Sequence, residues 1–324
     1  MAEERSGVLI GIGVQTWGTD VAALVRYWAA AERLGYARVT YGDGLWSFTH
    51  DGWTMLGALA TMTTRVRVGP AVTYAFDPAA HHPSWLAKRA VTVDHLSGGR
   101  LDLRLAIGAE DRATAEVWRA HGIAYPPAGE RIARLEESVE IVRALWRGET
   151  VTRAGLSQAR VEPVPIQRPG PPVWIAAMGP RALALVARQA DGWEASYVTP
   201  EVFGGLWRTL QRQLAEGKRA TASVVRSVEL DVALATSEGD APRMRDEFCA
   251  ARGLDRAHPL AATVLAGDPE TIAARIAEYA NAGATDLMLG FTDFPSTAML
   301  EAFAREVRPR LEALSRRSTT PPAV

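Results

Sequence analysis

Few residues in this chain combine reactive chemistry with a place from which to use it. Five β-branched runs end in short flexible segments: Gln15, Thr16 and Trp17; Gly42, Asp43, Gly44, Leu45 and Trp46; Ala71, Val72, Thr73 and Tyr74; Gly108, Ala109 and Glu110; and Ala177, Met178, Gly179 and Pro180. Only Asp43 and Glu110 are carboxylates, and together with His50 they are the candidates for carrying a proton. Each carboxylate also reads as an ordinary loop acid. Among the rest, apolar, aromatic and small residues dominate, a lining that suits a planar organic ring better than a hydrolytic or metal centre. Trp17, Trp46, Trp53 and Tyr74 are the candidate walls for a substrate.

Met178-Gly179-Pro180 offers a binding chemistry of its own. A glycine followed by proline at a helix start leaves backbone N–H groups open at the positive end of the dipole, where a phosphate is favoured. The same pair also serves as a plain helix cap. Arg181 either adds a fixed charge there or points into solvent. The other chemistries fare poorly. His81 and His82 are adjacent and would oppose one another in a strand, and His50, His95, His121 and His258 have no ligand spacing, so no metal is expected. There is no G-x-S-x-G elbow for a serine nucleophile and no G-x-G-x-x-G after the first strand for a dinucleotide.

Such segments need a scaffold that gathers strand ends on one face. Strands at 8–14, 37–41, 66–73, 100–107, 173–177, 192–197, 227–235 and 286–290 alternate with amphipathic stretches, the rhythm of βα units around a parallel sheet. Asp20 is placed to cap the first helix, with Gly35 closing it. Eight such units predict an α/β fold, a (β/α)8 TIM barrel with an insertion after the fourth unit, whose chemistry belongs at the C-terminal ends of the strands. The Pro-rich run 149–172 is the expected excursion, 1–314 a single domain, and 315–324 a disordered tail. In Arg100 to Ile107 the leucines alternate outward, sending Asp102, Arg104 and Ala106 into the barrel. An arginine there must be paired, either with Asp102 two positions away or with an acidic group or cofactor above it.

Composition bounds the partners. With 36 Lys+Arg against 37 Asp+Glu the chain of 324 residues has no electrostatic footprint for nucleic acid or an anionic membrane, and no apolar run is long enough to span one. A cytoplasmic protein with a small-molecule substrate is expected. The single cysteine, Cys249, reads as a buried structural thiol. Of 10 tryptophans, Trp28, Trp118, Trp146 and Trp207 fall on helices as packing residues, whereas Trp17, Trp46 and Trp53 follow strand ends.

The segment Thr92-Val93-Asp94-His95-Leu96-Ser97-Gly98-Gly99-Arg100-Leu101 resembles the luciferase-like monooxygenase superfamily, (β/α)8 proteins that use FMN or the deazaflavin coenzyme F420. Gly122-Ile123-Ala124-Tyr125-Pro126-Pro127, Gly129-Glu130-Arg131, Trp174 to Pro180 and Ala190-Asp191-Gly192-Trp193 follow in the same order. The form Ala-Ala-x-Gly-Pro at 176–180 is similar to the F420-dependent reductases and dehydrogenases, with FMN the alternative cofactor. The resemblance implies hydride transfer to or from a small organic substrate, in FMN members monooxygenation, and often a homodimer. It implies a bulge at Ala71-Val72, often containing a non-prolyl cis peptide, that supports the central ring, and a cofactor phosphate at Met178-Gly179-Pro180. The candidate cofactor-binding residues are Gly44, Ala71, Val72, Thr73, Gly108, Ala176, Ala177, Met178, Gly179, Pro180 and Arg181. Two departures stand out. Gly44 replaces the histidine that commonly follows Asp43, and Arg104 and Ala106 replace strand glycines. Proton transfer then rests on Asp43, Glu110, His50 or the substrate itself, and a noncatalytic cofactor-binding barrel is a further reading.

Overall fold

Local capping chemistry sets the elements of the chain. In the computed structural model, which describes residues 11–77, 81–109, 112–153, 155–235, 240–251, 254 and 258–318, strand β1 (Gly11–Thr16) leads to helix α1 (Val21–Arg33). Asp20 caps α1 by accepting the Ala23 N–H at 3.0 Å, and Gly35, at φ +76°, turns the chain away from its end. Next come β2 (Arg38–Tyr41), α2 (Gly52–Met62), β3 (Arg67–Pro70), β4 (Thr73–Tyr74), α3 (Pro83–Ser97), β5 (Leu103–Ala106), α4 (Arg112–Ala120) and α5 (Ala128–Trp146). The second half holds β6 (Val173–Ala176), α6 (Pro180–Gln189), β7 (Gly192–Ser196), α7 (Pro200–Glu216), β8 (Val225–Leu234), α8 (Asp240–Ala251), β9 (Leu265–Gly267), α9 (Pro269–Asn281), β10 (Asp286–Phe291), α10 (Ala298–Ala302) and α11 (Arg308–Ser318). Proline opens α3, α6, α7 and α9, where its missing N–H costs nothing.

All strand pairs are parallel, in the order β3-β2-β1-β10-β8-β7-β6-β5-β4, with β9 added against the end of β8. The ring closes because β3 and β4 are two pieces of one stave: Val68 bridges Leu101 below, and Thr73 pairs with Leu105 above. Counted so, eight staves close a barrel, as the sequence rhythm predicts. The break falls at the Ala71–Val72 peptide, which is cis. Within 149–172, Val151 and Ala159 form an isolated antiparallel bridge, and the N–H groups of Ile166 and Gln167 donate to the buried Asp94 carboxylate on α3. The sequence reading lacks α4 and β9, and it ends the last helix too early: residues 315–318 are helical.

Leu101, Leu103 and Leu105 are fully buried beneath the helices, and the alternate residues of every stave fill the barrel. Arg104 does not pair with Asp102. Residues two apart on a strand are separated by roughly 6.6 Å along it, while barrel closure brings other strands nearer. Arg104 donates to Glu194 on β7, and Asp102 instead accepts from Arg38 Nε at 3.1 Å and Arg67 Nε at 2.8 Å. Arg38 also pairs with Asp286. The indole of Trp174 meets two guanidiniums, 4.8 Å from Arg38 and 4.6 Å from Arg104. A charged plug thus fills the lower barrel. Burial pushes the Asp286 carboxyl up to about 7, only partly countered by Arg38 and Arg104, and raises Glu194 as well.

The helix tryptophans behave as packing residues: Trp28, Trp118 and Trp146 are at most 1% exposed, and Trp207 is buried. Cys249 is buried in α8. Among the described residues no helix is long and apolar enough to cross a membrane.

Candidate active site

Side-chain alternation decides what faces the C-terminal mouth of the barrel. Arg104 and Trp174 point inward, so Ala106 and Ala176, two residues on, do too, and they are in register. Glu194 likewise places Ser196 inward. The inward positions at the top of the barrel on the β5–β7 side thus carry small side chains. At its edge Met178 is exposed, and Gly179 caps α6 with no side-chain bond. A Cβ at Gly179 would meet nothing within 4 Å, so the first N–H groups of α6 are approachable. Arg181 is exposed on the first turn. Gly108 adopts φ +80°, and a side chain there would strike the Tyr125 hydroxyl, which donates to Ala109 O at 2.5 Å. Arg131, 3% exposed, stacks over Tyr125 at 4.2 Å.

Asp43 is not a surface-loop acid. It is 6% exposed and accepts from Thr73 Oγ1 at 2.5 Å. Burial pushes its carboxyl above the ordinary range, against the opposing pull of His81 and the Thr73 bond. Burial in turn lowers His81 despite the Asp43 charge, and His81 Nδ1 has no hydrogen-bond partner among the described residues. His81 and His82 therefore do not oppose each other in a strand. They lie on the approach to α3, where His82 Nδ1 accepts from Ser84 N at 3.3 Å as a cap. The sequence reading dismissed His81 along with the metal hypothesis.

Gly44 has a physical reason. A Cβ there would lie 2.5 Å from Trp46 Nε1, so the indole occupies the volume a side chain at position 44 would need. Trp46 stacks on Phe48 with ring centroids 6.2 Å apart. His50 is exposed, and its Nε2 contacts Thr19 O at 3.0 Å, which joins the loops after β1 and β2. Thr73 is fully buried with its hydroxyl committed to Asp43. Tyr74 packs edge-on to Trp118 in a small cluster with Phe76 and Tyr125. Trp53 is not gathered with the other walls. It is 7% exposed at the start of α2 and lines a groove between α2 and α3 with Trp85. Glu110 lies outside the described residues.

Four polar residues complete the mouth: Gln15, which the sequence places after the first strand without a role, and Tyr197, Glu229 and Asp231, which it leaves aside. Gln15 belongs to β1 rather than following it, and its Nε2 donates to the Tyr197 hydroxyl at 3.0 Å, which donates to Glu229 Oε1 at 3.2 Å. Asp231 stands two residues beyond Glu229 on β8, opposite Gly290. A Cβ at Gly290 would meet Asp231 Oδ1 at 2.6 Å, Trp17 at 3.0 Å and Gln15 Nε2 at 3.3 Å, so these side chains converge on one point. The period-two pattern Ser227, Glu229, Asp231 was the available signal.

Residues 5–286 match the family model described as luciferase-like monooxygenase. The chain belongs to that family. Among curated members, the F420-dependent glucose-6-phosphate dehydrogenase of Beutenbergia cavernae is 30% identical over 330 residues, covering 90% of this chain and 94% of that protein. A putative coenzyme F420-dependent oxidoreductase of Mycobacterium tuberculosis is 31% identical over 219 residues, 62% of this chain and 58% of its own. The luciferase-like fold is also seen in solved structures. The coenzyme F420-dependent tetrahydromethanopterin reductase of Methanopyrus kandleri superposes with a TM-score of 0.78 at 19% identity, covering 94% of this chain and 100% of that one. An F420-dependent secondary alcohol dehydrogenase bound to an F420–acetone adduct gives 0.79 at 16% identity, over 94% and 99%.

Proposed function

We propose that this luciferase-like protein is an oxidoreductase that moves a hydride between coenzyme F420 and a small organic substrate. The observation that carries the reading is a relative named for F420 dependence that is collinear with 90% of the chain. The mouth fits such a group. Ala106, Ala176 and Ser196 leave room for a flat ring beside Ala71, Val72 and Gly108, and the open N-terminus of α6 at Met178, Gly179 and Pro180, with Arg181, suits its phosphate. When bound, F420 supplies the carbon that takes or gives the hydride. The protein's own task is to orient, exclude water and manage a proton.

Asp43 is the group proposed to exchange that proton, its carboxyl raised by burial and oriented by Thr73. Glu110 is proposed as the alternative proton carrier. His50, bonded to Thr19 O, is proposed as a loop clamp. Trp17, Trp46 and Tyr74 are proposed to bound the substrate. The barrel is proposed to be one domain that includes the 149–172 excursion. The net charge of -1 supports a protein without nucleic-acid partners, and a cytoplasmic location is proposed with it. Exposed Trp85 and Leu96 on α3 support a homodimer.

Titrating the full-length apoprotein with F420 and with FMN, followed by fluorescence, tests the cofactor. F420 binding is expected. Tight FMN binding without F420 binding would replace this reading with a flavin monooxygenase, and turnover with any acceptor would dispose of a noncatalytic barrel.

A further inference from the structure

Of the six histidines, five spend a ring nitrogen locally: His50 on Thr19 O, His95 on Val164 O, His121 on Val117 O, and His82 and His258 as caps that accept Ser84 N and Leu260 N. His81 differs. It is 8% exposed, its backbone N–H is spent on Asp77 O at 2.8 Å, and its Nδ1 is buried without a hydrogen-bond partner among the described residues. A buried polar atom left in that state costs stability, so the ring is not there to hold a loop together.

The charge that acts on His81 most strongly is Asp43, and His81 is the foremost charge acting on Asp43. The two are brought together by different elements. Asp43 follows β2, and Thr73 donates to its Oδ2 while the head of α2 closes on its other oxygen, so that a Cβ at Gly52 would lie 2.6 Å from Oδ1. His81 stands two residues before the start of α3. Around the pair are Asp51, which caps α2, Asp77 in the loop after β4 and Arg89 on α3. Asp51 and Asp77 favour a charged imidazole and Arg89 opposes it, while Arg89 favours a charged Asp43 and Asp51 opposes it, so the flanking charges offset one another in part.

A buried carboxyl and a buried imidazole can hold no proton, one or two. With one proton the pair is neutral overall, either as an ion pair or as two uncharged groups. With none it leaves a lone carboxylate, and with two a lone imidazolium. A lone ion out of water is the costly state. The one-proton state is therefore favoured over a wide span of pH, and the steps on either side of it belong to both groups together.

We propose that Asp43 and His81 hold one proton between them and that His81 is the positioning residue that restores it after each turnover. When Asp43 gives its proton to the substrate, the pair is left with one net negative charge and takes one proton from solvent; in the opposite direction of reaction it gains one and returns it. One proton moves for each hydride, so the balance closes on every cycle. The inference rests on the reading of Asp43 as the group that exchanges the substrate's proton, and it adds the partner that resets it.

Carbon-13 NMR of the full-length apoprotein, titrated from about pH 4 to 9 and assigned through the backbone, follows the Asp43 carboxyl and the His81 ring. Both are expected to report the same two steps in the wild-type protein, a measurement that needs no variant. In Asp43→Asn the His81 step should move down, and in His81→Gln the Asp43 step should move up, each by about one pH unit or more, with thermal melting showing both variants folded. With F420 loaded, the pH dependence of single-turnover hydride transfer should move up in His81→Gln by the same amount as the Asp43 step. Independent steps in the wild type, a His81 step unmoved in folded Asp43→Asn, or a hydride-transfer profile unmoved in folded His81→Gln would overturn the proposal. If F420 fails to bind while the steps stay shared in the apoprotein, the cofactor reading falls and the one-proton pair stands.

Discussion

Replacing Arg104 with methionine tests whether pairing holds the plug beneath the mouth. The guanidinium is 1% exposed, donates to Glu194 and stacks on Trp174 at 4.6 Å. Methionine approximates its length without charge, so the loss is chiefly that of the cation. Glu194, 4% exposed, would keep the Ser227 hydroxyl at 3.2 Å and the weaker field of Arg38. Removing one partner of such a pair costs about 3–5 kcal/mol, whereas replacing both by apolar groups of similar volume is close to neutral. Arg104→Met should therefore lose about 3–5 kcal/mol in urea unfolding, and Arg104→Met/Glu194→Met should recover most of it. Protonation gives the reasoning a second handle. Burial raises the Glu194 carboxyl even with Arg104 present. A folded value above the unfolded one contributes stability that is complete below the unfolded value and is lost as pH rises through the folded value. Without Arg104 the folded value rises further, so the single variant should lie nearest wild type at pH 5 and furthest from it at pH 8. Urea midpoints at both pH values would decide. A loss under about 1 kcal/mol, a loss independent of pH, or a double variant no better than the single would refute the argument.

Asp286, pushed up to about 7, also stabilises most fully at low pH and less as pH rises through that value, so Asp286→Asn should flatten the pH dependence of the urea midpoint between pH 5 and 8. An unchanged slope would contradict this. Gly192→Ala should destabilise by about 1–3 kcal/mol, because its Cβ would strike the Trp174 ring; calorimetry showing a neutral change would mean that Trp174 can leave both guanidiniums. Gly179→Asp should weaken F420 affinity by like-charge repulsion, while Gly179→Ala, whose Cβ meets nothing within 4 Å, should leave it unchanged. Asp43→Asn should slow single-turnover hydride transfer with cofactor affinity retained. Unchanged rates in both Asp43→Asn and Glu110→Gln would remove both acids from the mechanism.

The barrel was legible in the chain because its determinants are local. Asp20 caps its own helix, Gly35 ends it, and the alternation in Arg100 to Ile107 gives the inward direction of Arg104 without knowledge of the rest. Its partner was not legible, because Glu194 lies 90 positions away and is delivered by ring closure. The same distinction runs through the site. Met178-Gly179-Pro180 is contiguous and announces a helix start, whereas Gln15 and Glu229 come from two strands and Tyr197 from the end of a third, and they form one chain only when the barrel closes. His81 was hidden differently: adjacency to His82 drew attention to metal geometry, while its burial near Asp43 depends on the path of the loop into α3.

The indole that lies over Gly44 links two positions in the order in which they can change. A histidine introduced at 44 alone would meet Trp46 Nε1 at its first side-chain carbon, so Trp46 must shrink or swing out before that exchange fits. Substitutions sharing one volume are coupled, and their effects do not add. A path from this chain to a relative with an imidazole at 44 therefore has to displace the Trp46 indole, and a library that varies 44 and 46 together samples both ways of doing so.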